Sequence, residues 1–158
     1  MISARKIVKG FTLIELLVVI ALIGVLSTLV LANLNSARER SRDVQRKSDL
    51  RSIQTALRLY FNDMGTYPAN NSSLEILGCG AGGVTACTWG DTWSKGTTVY
   101  MNTLPTDPQS SQSYRYTQID TDTYTLESCL ENQSDDKGVA TTDTTWCQSG
   151  WEFVINQQ

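Results

Sequence analysis

Histidine is absent from the 158 residues, which removes the commonest general base and the nitrogen ligand that many zinc sites use. No Ser-His-Asp or Cys-His arrangement can be assembled, and neither a G-x-S-x-G nor an H-E-x-x-H run occurs. C-x-x-C is also missing, so the four cysteines have no metal-ribbon or thioredoxin spacing. The glycine-rich GCGAGGVTACTWG stretch lacks the G-x-x-x-x-G-K-[ST] of a phosphate loop. Proline is scarce, three in all, and none precedes Pro68. Charge of either sign is missing from Leu16 to Ala37. These gaps predict a protein that is not an enzyme; the adjacent Asp135 and Asp136 read as a solvated loop pair rather than an acid–base pair.

What is present falls into two zones. Residues 1–60 carry ten Lys/Arg against four Asp/Glu, and residues 61–158 carry three against twelve, within a net charge of −3. The acidic zone has no basic patch interleaved with aromatics, so direct nucleic-acid binding is not expected. All four cysteines (Cys79, Cys87, Cys129 and Cys147) lie in the acidic zone. An even count downstream of an apolar segment fits an oxidising, extracytoplasmic location. Three pairings are open; Cys79–Cys87 with Cys129–Cys147 is favoured because each closes a local polar loop.

The charge-free run from Leu16 to Ala37 is long enough to cross a bilayer as one helix, which takes about 20 apolar residues. Glu15 stands at its start, where an ionised carboxylate in hydrocarbon costs roughly 2.5–3.5 kcal/mol. A secretory signal peptide cleaved near Ser36-Ala37 would have an apolar region of only about 7–15 residues. A signal anchor holding an extracytoplasmic binding or adhesion module is the second reading. Neither gives Glu15 a reason to be there.

Gly10, Phe11 and Thr12-Leu13-Ile14-Glu15-Leu16, after the basic MISARKIVKG and before the long apolar run, resemble the class III signal of the type IV pilin family and of the major pseudopilins of type II secretion. The resemblance implies that a prepilin peptidase cuts between Gly10 and Phe11 and methylates the new N-terminus at Phe11. It implies that Glu15 attracts the N-terminal amine of a neighbouring subunit as a helical homo-oligomeric filament assembles. An assembly ATPase and a platform protein are implied as partners. So is a single-pass inner-membrane precursor with an extracytoplasmic head, passing into a periplasmic or extracellular filament. Physically, opposite charges in low dielectric attract strongly and are costly unpaired, so Glu15 would give assembly a register. One count runs the other way. Arg38, Arg40, Arg42, Arg46, Lys47 and Arg51 outnumber Arg5, Lys6 and Lys9 of the leader, and by the positive-inside rule they would keep the C-terminal part in the cytoplasm. The leader motif and the cysteines require the opposite orientation.

Residues 36–63 contain no proline or glycine, and Leu50, Ile53, Leu57, Tyr60, Phe61 and Met64 make one helical face. One continuous helix is predicted from about Phe11 to Asp63, ended by Gly65 and Pro68. Residues 65–104 read as irregular, with a short helix at 72–77, and Trp89 and Trp93 read as packing residues. Alternation over 113–118, 123–130 and 150–155 predicts three strands. The expected fold is α+β, pilin-like, a long N-terminal helix packed on a small antiparallel sheet. Its divisions are a leader (1–10), a transmembrane or filament-core helix (11–35), an amphipathic continuation (36–64) and a globular head (65–158). Gly65-Thr66-Tyr67-Pro68 and the Tyr100–Tyr116 stretch (YMNTLPTDPQSSQSYRY) resemble features of the major pseudopilins. Those pseudopilins often hold calcium in the loop after their last strands, which implies Asp135, Asp136 and Asp143 as candidate ligands here. The family's glycine-rich acidic pattern is not kept, so a polar, solvated loop is expected, with a disulfide between the bracketing Cys129 and Cys147 as the alternative to a metal, and no cofactor is assigned.

Overall fold

A computed structural model describes residues 10–157, with the side chains of residues 29–33 outside that description. Residues 1–9 of the expected leader lie outside the described residues. The dominant element is α1, Leu13–Met64, a helix of 52 residues. It starts at Thr12 and stops at Gly65, whose φ of 72° is the left-handed conformation glycine adopts without strain, and whose N–H reaches the Phe61 carbonyl at 2.7 Å. The chain divides into two compact units between Arg38 and Glu39.

In the first unit the helix from Leu13 to Leu26 carries apolar side chains on every side, with Glu15 its one charged residue. Phe11, Leu13 and Ile14 are at least 70% exposed, and each large apolar side chain from Leu16 to Leu26 is exposed as well. A helix apolar all round has no core of its own to face. Among the described residues no helix is long and apolar enough to cross a membrane.

The second unit carries the core. Asp43, Arg46, Leu50, Ile53, Leu57 and Tyr60 recur at intervals of three and four along α1 and are all buried. Phe61 is half-buried against them, whereas Met64 emerges into solvent. Opposite them lies a four-stranded antiparallel sheet in the order β5-β6-β8-β7, from β5 (Arg115–Gln118), β6 (Tyr124–Cys129), β7 (Val139–Ala140) and β8 (Trp151–Gln157). Along β6, Tyr124, Leu126 and Ser128 alternate inward, the period-2 signature of a half-buried strand. Tyr116 pairs with Leu126, and Leu126 with Ile155. Tyr67 stacks edge-on against Tyr124 at 4.6 Å, tying the segment after the helix to the sheet.

The region read as irregular is more ordered than expected. β1 (Leu77–Cys79) pairs with β2 (Thr85–Ala86), and β3 (Trp93–Lys95) with β4 (Thr98–Met101). The short helix expected over 72–77 is not formed. Asn71 instead accepts the N–H groups of Ser73 and Glu75 on its side-chain oxygen, an Asx turn that competes with helix, and Leu74 takes φ 58° within it. Trp93 is fully buried between Tyr60 and Tyr100, and Trp89 meets the edge of Tyr114 at 5.8 Å.

Candidate functional site

The first candidate region is the start of α1. Phe11, Ile14, Glu15, Val18 and Val19 line one shallow groove on the exposed apolar helix. Their spacing places Glu15 among apolar neighbours on a single face. Its carboxylate accepts the Thr12 N–H at 2.9 Å and the Thr12 hydroxyl at 2.8 Å, while the Glu15 N–H donates to the Thr12 hydroxyl at 3.3 Å. This is a capping box, which satisfies backbone donors that the first helical turn leaves without partners. Thr12 is thus a residue the sequence reading left without a role, although T-x-x-E before an apolar run is a readable signal. Gly10 and Phe11, the expected processing residues, precede the cap and are exposed. Gly24 has nothing within 4 Å of where a side chain would project, so its flank is open to close approach.

The second region is a charged clamp inside the head. Arg46 is fully buried; its guanidinium donates to both oxygens of Asp107 at 2.7 and 2.8 Å, to Asp43 at 2.8 Å and to Glu131 at 2.7 Å. Burial opposes the Arg46 charge, but the Asp107 hydrogen bonds and charge outweigh it, and the group stays firmly protonated. Glu131 also forks onto Arg42, through Nε at 2.6 Å and through Nη2. That contact is the leading reason its pKa lies below the ordinary carboxylate value. Asp43 accepts the backbone N–H of Glu131 at 3.0 Å and of Asn132 at 2.8 Å, so α1 fixes the chain where it leaves β6. The clamp joins three separated pieces of sequence: the helix, the Leu104–Pro108 loop and the end of β6.

The four cysteines form two disulfides. Cys79 and Cys87 are joined, with Cα atoms 5.2 Å apart, and Cys129 and Cys147 are joined at the same Cα separation. Cys79–Cys87 ties β1 to the residue after β2, and Cys129–Cys147 closes the loop between β6 and β8.

The expected calcium ligands are not brought together. Asp135 takes the Lys47 ammonium at 2.5 Å and the Lys137 N–H at 3.0 Å. Asp136 is highly exposed, and among the described residues it has only Lys137, at 3.6 Å. Asp143 takes Arg115 at 2.7 Å, the Thr145 hydroxyl at 2.5 Å and the Trp146 N–H at 3.2 Å. Calcium requires six to eight oxygens around one point. Among the described residues no group of three or more acids is gathered to hold a metal, so these residues do not fit one. Gly78, Gly80 and Gly83 have the G-x-G-x-x-G spacing, but they sit in β1 and its turn to β2, with no helix N-terminus following to receive a pyrophosphate.

Comparison with known proteins bears on both regions. Residues 5–31 match the family described as prokaryotic N-terminal methylation motif, and residues 33–144 match type II secretion system protein G. The type II secretion system core protein G of Pseudomonas aeruginosa is 32% identical over 112 residues, 71% of this chain and 75% of that protein. The core protein G of Escherichia coli K12 is 42% identical over 69 residues, 44% of this chain and 48% of the relative. The type IV wide pilus major component PilA4 of Thermus thermophilus is 40% identical over 70 residues, covering 44% and 53% of the two chains. The chain thus spans about half the length of most of the curated relatives it matches. No solved structure matches it.

Proposed function

The chain belongs to the type II secretion system protein G family, and from that premise we propose that it is a pilin-like structural subunit that polymerises through its N-terminal helix. The observation that carries this is the exposed apolar surface from Phe11 to Leu26, on which Glu15 stands among apolar neighbours. Contiguous exposed apolar surface of this extent calls for lipid or protein against it. In the membrane-held precursor lipid covers it; in the filament the equivalent helices of neighbouring copies do. Packing between helices replaces lipid contact, and small residues such as Gly24 let helices approach closely.

The residue roles follow from the same reading. Residues 1–10 are a leader removed by a prepilin peptidase, with the cut between Gly10 and Phe11 and methylation at Phe11. Residues 11–35 form the membrane or filament-core helix, 36–64 continue it, and 65–158 form the head. Within one subunit Thr12 occupies Glu15; a neighbour's terminal amine, carrying full charge, is the stronger partner in a water-poor filament core. The assembly ATPase and the platform protein are the partners that extract and add subunits. No catalytic role is assigned to the chain.

The intact mass and N-terminal sequence of the protein, taken from sheared surface or periplasmic material and from membranes, test this reading. A chain beginning at methylated Phe11 in the sheared fraction is expected. An uncut chain confined to membranes would instead support a signal-anchored module, and a start near Ala37 a cleaved secreted protein.

A further inference from the structure

We propose that the loop from Glu131 to Ser149 is ordered by cations that the chain itself supplies, so that the head folds independently of dissolved calcium. Three acids along this loop each carry a protein cation. Glu131 holds Arg42 and Arg46, Asp135 holds Lys47, and Asp143 holds Arg115. The first three of those cations project from α1, within two turns of one another, onto the loop that follows β6. A calcium ion at any of these acids would displace an ammonium or guanidinium already within hydrogen-bond reach, and would leave that cation without its partner.

The rest of the loop is fastened in a way that also needs no metal. Asp43 receives the N–H groups of Glu131 and Asn132. The Asp135 carbonyl accepts the Trp151 indole N–H at 3.3 Å, and Arg115 lies over the Trp146 ring, 4.2 Å from its centre. The Ser149 hydroxyl donates to the Leu130 carbonyl, and Cys129–Cys147 closes the loop at its base. Lys47 is the decisive residue: its ammonium, largely withdrawn from solvent, sits on Asp135 in the segment where the resemblance implied a metal. A lysine offers three donors and no acceptor, so it neutralises a carboxylate where a calcium ion would otherwise be required to do so. The inference concerns the head alone and does not depend on filament assembly.

The test is thermal unfolding of the full chain in detergent micelles, in about 10 mM calcium chloride and in excess EGTA. The expected result is the same Tm in both. A calcium site loaded a hundredfold above its Kd would raise Tm by roughly 10 °C, and such a rise overturns the proposal. Hydrogen exchange of Lys47→Met, run in EGTA, tests the lysine itself. Amides of 132–138 are expected to exchange about fivefold faster while those of β6 keep their protection. Unchanged exchange in 132–138 would remove Lys47 from the account.

Discussion

Replacing Arg46 with methionine separates a buried clamp from a decorative cluster of surface charges. Methionine keeps much of the apolar stem but removes the guanidinium, leaving Asp43 and Asp107 with side chains about 1% exposed and no cation between them. Removing one partner of a buried pair costs about 3–5 kcal/mol, because the remaining charge is stranded. Asp43 would still accept two backbone N–H groups, Asp107 would keep the Gln109 N–H at 2.8 Å, and Glu131 would keep Arg42. Those residual partners place the expected loss near the low end, about 3 kcal/mol. With a urea dependence of about 2 kcal/mol/M, the unfolding midpoint should fall by about 1.5 M. All four tryptophans (Trp89, Trp93, Trp146 and Trp151) lie in the head, so their fluorescence reports its unfolding in the full chain. Arg46→Lys should recover only part of the loss, since an ammonium cannot fork across both Asp107 oxygens. A loss below about 1 kcal/mol, the range of exposed pairs, would refute the clamp as a buried unit.

Acid should weaken the head through Glu131 and Asp135. Glu131 and Asp135 are depressed below their ordinary values, first by hydrogen bonds from Arg42 and from Lys47 respectively. Their contribution is therefore present above the unfolded values of about 4.3 and 3.9, and is lost as pH falls through the folded ones. Glu127 and Asp49, raised first by burial, have the opposite sign, so a slight gain below neutrality should precede the loss. A urea midpoint that declines steadily from pH 7 would contradict this order. Replacing Cys129 and Cys147 together by serine should cost about 3 kcal/mol, and replacing Cys79 with Cys87 about 2.5 kcal/mol, from the loop lengths of 18 and 8 residues, read as paired urea midpoints. Glu15→Gln keeps the cap on Thr12 while removing the charge, so filament yield should collapse in this variant and survive in Thr12→Ala; intact filaments from Glu15→Gln would reduce Glu15 to a helix cap. Gly65→Ala should lower the head's stability by about 1 kcal/mol, because its φ of 72° is unfavourable for any residue with a Cβ.

Much of this fold is legible in sequence because its signals are periodic and long. The α1 helix, its end at Gly65, the buried stripe through Leu50, Ile53, Leu57 and Tyr60, and the three principal strands all follow from spacing. The four strands between Leu77 and Met101 are two to four residues each, and pairing rather than pattern decides them. The helix expected over 72–77 failed for a local reason, since the Asn71 side chain supplies a competing turn. The clamp was illegible for a different reason. Arg46 sits 61 residues from Asp107 and 85 from Glu131, and nothing in the local sequence of any of them marks the partnership. By contrast the Thr12–Glu15 box lies in plain spacing, and the motif's resemblance to a processing signal drew attention to Glu15 alone.

The clamp also changes how the basic residues after the apolar run should be counted. Of the six between Arg38 and Arg51, Arg42, Arg46 and Lys47 are committed to acids of the head, while Arg38, Arg40 and Arg51 are exposed. The positive-inside rule concerns charges free to meet the membrane surface as a chain inserts, before distant acids such as Glu131 have been made available to pair with them. At that stage all six count, and they oppose the proposed orientation, so the leader motif must carry it. Once the head folds, three of the six are withdrawn into ion pairs. Three exposed basic residues then stand against Arg5, Lys6 and Lys9, and the opposing bias is gone. On the proposed reading, then, the leader sets the orientation, and folding of the head pairs half of the basic charge that opposed it.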